Sequence, residues 1–330
     1  MSEAARVVVV MPVINEERHL RDSVLRLLEQ DYQGPLDIVI AVGPSRDATH
    51  AIAEQISIEH ANVHVVENPS GKTPTGLNAA ITFMDSDIVV RVDGHAMVSS
   101  DYVRTGVETL ASTGADNVGG IMDAEGSTPT ESAIAAAMKS AFGVGGAAFH
   151  IGGEAGPALT VYLGCFQRSA LDRVGGYDET MVRAQDWEMN YRIRQSGGQV
   201  WFTPMMRVSY RPRPTLRALA RQYHDYGRWR REVARRHPDT VSLRYLAAPL
   251  TVVGVGTGLV LAVVGLTTGT TWLTALGIAA PAVYVAGNLV ASAHTTLRYK
   301  LAPTSAMVLP AVFATMHGAW GTGFLRGVRG

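Results

Sequence analysis

The sequence predicts an α/β fold with a mostly parallel sheet, followed by helices that cross a membrane. Through roughly the first 100 of the 330 residues, short apolar runs alternate with segments of helical periodicity. That alternation is typical of parallel strands flanked by helices. The residues from Leu246 to Thr296, by contrast, include no Asp, Glu, Lys or Arg. An uncharged, mostly apolar stretch of that length indicates transmembrane helices.

Four strands are predicted in the first part of the chain, each an apolar run that ends at polar or turn-forming residues. They are Arg6–Ile14, Leu36–Val42, Val63–Val66 and Asp87–Asp93. Helices are predicted over Leu20–Leu28, Ile52–Ile58 and Pro74–Met84, because apolar residues recur there at helical spacing. This alternation predicts right-handed crossovers within one doubly wound sheet.

The pattern is looser in the next hundred or so residues. The predicted elements there are a helix over Tyr102–Ser112, a strand that ends at Gly119-Gly120, and helices over Glu131–Phe142 and Gln185–Gln195. Between the last two helices lies the glycine-rich stretch Gly143–Gly156. It is either a mobile active-site flap or an ordinary flexible loop.

The composition argues against some classes of function. Lys and Arg together number 29, as do Asp and Glu, so no net charge recruits nucleic acid or an acidic partner. Cys165 is the only cysteine, and an intramolecular disulfide is therefore impossible. Its residue type favours a small buried apolar side chain over a catalytic thiol.

The strand Asp87–Asp93 leads into the first candidate site, the tripeptide Asp93-Gly94-His95. Asp93 offers oxygen and His95 nitrogen to a metal ion, and the glycine between them lets the backbone approach a ligand closely. In open α/β sheets, ligands bind beyond the carboxyl ends of the strands. The alternative is a strand that ends in an Asx turn with a surface histidine.

A strongly basic segment runs from Arg207 to Arg236. Its ten arginines are accompanied by only two acidic residues, Asp225 and Glu232, and are interleaved with Leu, Tyr and Trp. This pattern indicates an amphipathic segment that lies on an anionic membrane surface or holds phosphate groups. A nucleic-acid-binding patch would look similar, but the uncharged stretch that follows argues against it.

Two transmembrane spans are predicted, Leu246–Leu266 and Trp272–Ser292, each 21 residues long. A third stretch, Ala306–Leu325, is interrupted by His317 and several glycines. It is re-entrant, interfacial or a true span. If positive residues stay inside, the first two spans form a hairpin that returns to the cytoplasm.

Four motifs follow one another along the chain. They are Pro12-Val13-Ile14-Asn15-Glu16-Glu17, Asp93-Gly94-His95-Ala96, Gly175-Gly176-Tyr177-Asp178 and Gln185-Asp186-Trp187-Glu188. In this order they resemble the family 2 glycosyltransferases of GT-A fold, over roughly Val7 to Trp229. The D-x-H-A motif and the C-terminal spans are similar to those of membrane-bound enzymes of bacterial exopolysaccharide assembly, of the succinoglycan glucosyltransferase kind. The resemblance implies a Rossmann-like GT-A domain on the cytoplasmic side of the cell membrane.

The resemblance also implies an activity. It is the transfer of a sugar from a nucleotide-sugar donor to a lipid-linked or glycan acceptor, with inversion at the anomeric carbon. Asp93 and His95 would hold a divalent metal ion, Mn²⁺ or Mg²⁺, against the leaving diphosphate. Asp186 would be the base that deprotonates the acceptor hydroxyl. The plain alternative is that Asp186 only complements the dipole of its helix.

Further binding residues follow from the same resemblance. On the donor side they are Pro12, Asn15, Glu16, Lys72, Asn78 and Asp93. Lys72 is otherwise a solvated surface residue. On the side of the acceptor and the departing diphosphate they are Gln222, Tyr226, Arg228 and Trp229. The family's Q-x-x-R-W motif has a shorter spacing than these four residues.

The chain departs from the family pattern at three places. Ala41-Val42-Gly43-Pro44-Ser45 lacks the carboxylate of the usual V-D-D-G-S, so a contact with the base is missing or replaced. The resemblance still makes a UDP-sugar the expected donor, but the base itself stays open. Gln185-Asp186 occupies the place of the family's E-D pair, which keeps the proposed base but removes the negative charge beside it. His95 replaces a second aspartate, which makes metal affinity pH-dependent because an imidazolium cannot ligate.

The sequence thus divides into a GT-A catalytic domain (residues 1–206), a basic membrane-interface segment (207–244) and a transmembrane region (245–330). Membrane lipids are expected partners and nucleic acid is not. Two other functions stay open. One is transfer of a sugar directly onto polyprenyl phosphate, whose ionised oxygen would need Asp186 less as a base. The other is a catalytically inactive membrane scaffold of the same fold.

Overall fold

The structure, a computed structural model, describes residues 4–328. It divides into two compact units. The first joins the chain up to Asp123 with Ala148–Tyr210, and the second joins Ala124–Ala147 with the chain from Arg211 onward. The boundaries at residues 206 and 244 stay a prediction about domains, and residues 124–147 pack with the C-terminal helices.

One sheet forms the centre of the first unit. Its strands in the described residues are β1 (Val7–Val13), β2 (Leu36–Val42), β3 (Val63–Glu67), β4 (Ile88–Arg91), β5 (Met97–Val98), β6 (Asn117–Ala124), β7 (Gly156–Pro157), β8 (Tyr162–Gln167) and β9 (Val200–Tyr210).

Helices surround the sheet and make up most of the second unit. In chain order they are α1 (Leu20–Leu28), α2 (Thr49–Glu59), α3 (Thr73–Phe83), α4 (Tyr102–Thr113), α5 (Pro129–Met138), α6 (Ala141–Val144), α7 (Ala148–Ile151), α8 (Arg168–Val174), α9 (Gln185–Gln195), α10 (Leu216–Arg236), α11 (Leu243–Thr268), α12 (Thr271–Tyr299) and α13 (Pro303–Arg326). A 3₁₀ turn lies at Pro238–Thr240. The second unit contains α5, α6 and α10 to α13.

The sheet has a parallel half and an antiparallel half. Its strand order is β3-β2-β1-β4-β8-β6-β9-β5, with β7 beside β9. The strands β3, β2, β1 and β4 are parallel, which confirms the predicted arrangement. Strand β8 runs antiparallel to both β4 and β6. The order reverses at β1, so a topological switch point opens beyond the carboxyl ends of β1 and β4.

Burial on both faces of the sheet explains why β1 reads as a continuous apolar run. Val7, Val9 and Met11 belong to the core on one face, and Val8 and Val10 to the core on the other. Each of the five is at most 1% exposed. Parallel strands that are covered by helices on both faces show this pattern instead of an alternation of apolar and polar residues.

The strand end predicted at Gly119-Gly120 is wrong, because both glycines lie inside β6. A Cβ atom on Gly120 would lie 1.8 Å from the carbonyl oxygen of Met206, in β9. A Cβ on Gly119 would lie 2.7 Å from Cβ of Val161. The two glycines therefore allow neighbouring segments of the sheet to approach closely, and they do not form a turn.

The helix bounds agree with the predictions at α9, which spans Gln185–Gln195. The helix predicted over Glu131–Phe142 is wrong as a single element, since α5 ends at Met138 and α6 begins at Ala141. Ser140 Oγ accepts a hydrogen bond from the Phe142 N–H at 3.3 Å and so caps α6. The stretch 143–156 contains the end of α6 and the whole of α7, and its role as a flap stays a prediction.

Two helices among the described residues, α11 and α12, are long and apolar enough to cross a membrane. They contain the predicted spans Leu246–Leu266 and Trp272–Ser292. Only 17% and 6% of their apolar windows are buried, so they do not resemble the core helices of a soluble protein. The possible third span lies in α13, which is not one of these two helices. Helix α13 packs against α5, α10, α11 and α12.

Helix α10 carries most of the predicted basic segment and also supports α13. Arg228 Nε donates to the carbonyl oxygen of Gly327 at 3.0 Å, and Arg231 Nη1 donates to that of Phe324 at 3.2 Å. The last carbonyl groups of a helix have no partners within it. These two arginines therefore cap the carboxyl end of α13.

Gly120→Ala tests the close approach of β6 and β9. The added methyl group would meet the Met206 carbonyl, so we expect the free energy of unfolding to fall by about 3 kcal/mol, the upper end of the usual cost of overpacking. Thermal denaturation of the purified protein measures the loss. Gly156→Ala is the matched control, because a Cβ there has no heavy atom within 4 Å. Equal melting temperatures for the two variants would contradict this packing.

Candidate active site

Two loops meet at the topological switch point of the sheet. One follows β1 and carries Asn15 and Glu16, and the other follows β4 and carries Asp93 and His95. His95 Nδ1 lies 2.8 Å from Glu16 Oε1, so the loops are in direct contact. The tripeptide that begins at Asp93 therefore lies at the crevice where open α/β sheets bind ligands.

Arg91 joins two carboxylates at this crevice. It is the last residue of β4 and is 3% exposed. Its Nη2 and Nε donate to Asp93 Oδ1 at 2.9 and 3.2 Å, and its Nη1 donates to Asp186 Oδ1. The side chains of Asp93 and Asp186 are each 22% exposed. We call Arg91, Asp93 and Asp186 the charged triad.

The surroundings of the charged triad move the pKa values of its two carboxyl groups in opposite directions. Burial raises the pKa of Asp186 to about 6, with Arg91 opposing this rise and Asp93 adding to it. Burial also acts to raise the pKa of Asp93, but Arg91 and His95 outweigh it, so that pKa is lowered. Asp93 is thus a permanent anion at neutral pH, while Asp186 can exchange a proton, as a general base must.

The contact between His95 and Glu16 selects one form of the imidazole. An ionised carboxylate can only accept, so His95 Nδ1 donates to Glu16. In the neutral ring this makes Nε2 the nitrogen with the chemistry of a metal ligand. A carboxylate and an imidazole two residues apart fit a divalent ion such as Mn²⁺. Within residues 4–328 no group of three or more His, Cys, Asp or Glu is arranged to hold such an ion alone.

The loop after β1 is held in place by the loop that follows β2. Asn15 has a φ of 56°, in the left-handed region that Asn tolerates better than most residues. Its N–H donates to Ser45 Oγ at 3.0 Å, and its Oδ1 accepts from the Arg46 N–H at 2.9 Å. The Glu16 N–H donates to Thr49 Oγ1 at 2.7 Å. These bonds fix the position from which Glu16 reaches His95.

Asn78 connects α3 to the segment that precedes Asp186. Its Nδ2 donates to the Tyr177 carbonyl at 2.8 Å and to Glu179 Oε1 at 3.1 Å. Its Oδ1 accepts from the Tyr177 N–H at 2.8 Å. A Cβ on Gly176 would lie 2.8 Å from that same oxygen. The structure therefore gives Asn78 a role in positioning this segment, and its contact with the donor stays a prediction.

Asp186 lies in the first turn of α9, directly after a backbone irregularity. Ala184 has a φ of 59°, which is uncommon for a residue with a Cβ atom. Glu188 in the same turn pairs with Arg192 at 2.7 Å. The helix dipole favours both acidic residues at this end, but it does not account for the bond between Asp186 and Arg91.

The remaining predicted residues lie on β1, α3 and α10. Pro12 is in β1, and Lys72 is exposed directly before α3. Gln222, Tyr226, Arg228 and Trp229 lie on α10, in the second unit. There Gln222 Nε2 donates to the Tyr226 hydroxyl at 2.9 Å. Their contacts with donor or acceptor stay predictions.

Arg91 is the member of the site that sequence reasoning missed. It interrupts an apolar run, and its neighbours Val90 and Val92 are fully buried. A charged side chain inside a buried strand needs a partner, because an unpaired charge there is very costly. That signal was present in the sequence. The identity of the partner was not, since Asp186 is 95 residues further along the chain.

The chain is similar to proteins of one known family. The family model for Glycosyl transferase family 2 matches residues 8–172. The succinoglycan biosynthesis protein ExoA of Rhizobium meliloti is 31% identical over 322 residues, which is 96% of this chain and 93% of that protein. The chain belongs to glycosyl transferase family 2. This family 2 protein is thus a glycosyltransferase, with a relative in exopolysaccharide synthesis that is similar along almost its whole length.

Solved structures confirm the predicted GT-A fold of this glycosyltransferase. The mannosyltransferase PcManGT of Pyrobaculum calidifontis, in complex with GDP-Man and Mn²⁺, superposes with a TM-score of 0.60 at 19% identity, over 98% of this chain and 88% of that one. Residues 1–349 of TarS from S. aureus give a TM-score of 0.52 at 12% identity, over 97% and 90% of the two chains.

Arg91→Met tests the charged triad. The substitution leaves two partly buried carboxylates without their cation, so we expect the free energy of unfolding to fall by about 3–5 kcal/mol at neutral pH. Denaturation of the purified protein measures this loss. Arg104→Met is the matched control, since Arg104 and Asp31 form a pair that is 39% and 43% exposed and should contribute at most about 1 kcal/mol. Similar losses in both variants would refute the structural role of Arg91.

Proposed function

We propose that this family 2 enzyme is an inverting, metal-dependent glycosyltransferase. It moves a sugar from a nucleotide-sugar donor to a lipid-linked or glycan acceptor at the cytoplasmic face of the bacterial cell membrane. The charged triad is the main support for this proposal. In it the buried Arg91 binds two carboxylates, one that stays ionised at neutral pH (Asp93) and one that can take up a proton (Asp186). Such a pair suits a reaction that needs a metal ligand and a base side by side.

Asp93 and His95 are the residues that would hold the metal ion. A bound divalent ion would offset the negative charge that develops on the departing diphosphate. The relative PcManGT, which was solved with GDP-Man and Mn²⁺, supports a nucleotide-sugar donor and this class of ion. The family resemblance makes a UDP-sugar the expected donor, and the base stays open because this chain lacks the carboxylate that the family pattern has after β2. In this chain Ser45, which follows β2, accepts a hydrogen bond from the Asn15 N–H, close to where the family's V-D-D-G-S motif has its carboxylates.

Asp186 acts on the acceptor. Its carboxylate takes the proton from the acceptor hydroxyl as the oxygen attacks the anomeric carbon from the side opposite the leaving diphosphate, and this inverts the configuration. With a pKa of about 6 the group is mostly ionised at neutral pH and still basic enough to accept the proton. Arg91 keeps hold of Oδ1 throughout and so fixes the orientation of the carboxylate.

The second unit anchors the enzyme in the bilayer. The support is the pair of apolar helices α11 and α12, most of whose surface is not covered by protein. Helix α10 adds exposed arginines, such as Arg217 and Arg221, that suit anionic headgroups. The positive residues that flank the α11–α12 hairpin orient both of its ends toward the cytoplasm.

The pH dependence of transfer tests the role of Asp186. Because only the ionised carboxylate accepts a proton, we expect kcat to fall as the pH is lowered through about 6. Asp186→Asn should lower kcat by about 10²–10⁴-fold and remove this acidic limb. Initial rates with a radiolabelled sugar nucleotide measure both effects. A mild loss in Asp186→Asn would point instead to polyprenyl phosphate as the acceptor, because its oxygen is already ionised.

Metal binding tests the donor side. We expect Asp93→Ala and His95→Ala each to weaken Mn²⁺ binding by about 10–100-fold in the presence of the donor nucleotide. The electron paramagnetic resonance signal of free Mn²⁺ measures the affinity without turnover. His60→Ala, which removes an imidazole at the end of α2, is the control. Wild-type affinity in both site variants would rule out this tripeptide as the metal site.

A further inference from the structure

The second unit contains a groove of about 760 Å³ among α10, α11, α12 and α13. This volume lies in the range of sites that hold small molecules. Most of its surface is apolar, with Val252 and Val255 on α11 and Ala314 and Ala319 on α13. A free polar ligand such as inorganic phosphate gains nothing from such walls. The walls suit a hydrocarbon chain.

One end of the groove is cationic. Arg221 and His224 of α10 line it there, beside Thr322 of α13. Helix α10 comes this close because α13 has a glycine at the contact. A Cβ on Gly323 would lie 2.0 Å from the carbonyl oxygen of His224. Among the residues that the structure describes, none forms an ion pair with Arg221, which is exposed.

The other end of the groove lies deeper along the same helices. From Thr322 to Ala314 the lining follows α13 for eight residues, which corresponds to roughly 12 Å at the rise of an α-helix. The lining residue nearest the start of α11 is Thr251, about two turns in from Leu243. The groove therefore extends from the basic helix toward the middle of the proposed membrane spans.

The polar side chains at the deep end already have protein partners. His317 Nε2 lies 2.8 Å from the carbonyl oxygen of Phe142, which can only accept, so this nitrogen carries the proton. His317 Nδ1 then accepts from the Tyr284 hydroxyl at 3.1 Å. The deep end thus needs no polar group from a ligand, and it presents ring and aliphatic surface.

We infer that this groove binds the lipid part of the acceptor, with the hydrocarbon chain along α11 and α13 and the phosphate group against Arg221 and His224. The inference rests on the proposed function for the identity of the occupant. An apolar channel with the cationic side chain of Arg221 at one end, beside the imidazole of His224, complements a single chain that carries a phosphate. Helix α10 would then bind one particular lipid in addition to lying on the membrane surface.

Binding of a fluorescent polyprenyl phosphate to the full-length protein in detergent tests the inference without the donor or catalysis. We expect Arg221→Gln to weaken binding by about tenfold or more, the loss typical of a charge-assisted hydrogen bond. Val255→Trp and Ala314→Trp, which fill the groove from two sides, should abolish it. Polyprenol without the phosphate should bind at least about tenfold more weakly than the phosphate, for the same reason.

Matched controls lie on the same helices. Arg235→Gln removes an arginine whose side chain is 70% exposed, and Val260→Trp adds a ring where the side chain is 62% exposed and does not line the groove. Both should bind polyprenyl phosphate as the wild type does. Gel filtration and thermal denaturation identify any variant that fails to fold. If only one Trp variant folds, that variant decides the outcome.

The possible results distinguish a failure of the proposed lipid site from a failure of the proposed transferase activity. Wild-type binding in Arg221→Gln and in the folded Trp variants would overturn the inference. Equal competition by phosphatidylglycerol would overturn it as well, since the groove would then hold bulk lipid. Asp186→Asn should still bind polyprenyl phosphate with wild-type affinity. If the groove binds the lipid but no sugar is transferred to a lipid acceptor, the proposed function fails while the site remains.

Discussion

The charge of Arg91, placed at the end of a buried strand, is the constraint on which the active site depends. A guanidinium that is 3% exposed must be paired. The guanidinium group donates hydrogen bonds to Asp93, two residues later in the chain, and to Asp186 at the start of α9. Because Arg presents several donors in a rigid plane, it fixes both carboxylates at once, which a lysine could not do. The hydrogen bonds that pair Arg91 therefore also orient the two carboxylates to which the proposed function assigns the chemistry.

The surrounding loops extend this constraint across the switch point of the sheet. Asn15 and Glu16 are held by the loop after β2, and Glu16 in turn holds His95. On the other side, Asn78 holds the segment that leads to Asp186. The site thus depends on side chains from several separate segments, so its geometry is set by the packing of the whole first unit. Arg91 joins the Asp93 part of the site to the Asp186 part.

The parallel strands and their helices could be predicted from the sequence because each signal is local, as in the apolar run of β1 or the periodicity of α9. The antiparallel half could not. Gly119-Gly120 suggested the end of a strand, and only the nearby Met206 carbonyl shows why glycine is required at Gly120. At the site, Asp93 and His95 were evident from the sequence itself. Asp186 came from a family resemblance, and Arg91 was missed because its second partner lies far along the chain.

Burial and the charged triad together raise the pKa of Asp186, and the pKa of this carboxyl group can be measured directly. Carbon-13 NMR of aspartate-labelled protein, with the signal assigned by its absence in Asp186→Asn, follows this one carboxyl group through a pH titration. We expect a midpoint of about 6. A midpoint near the ordinary value of 3.8 would mean that Asp186 is solvated, and it would contradict the role of Asp186 as a base with a raised pKa.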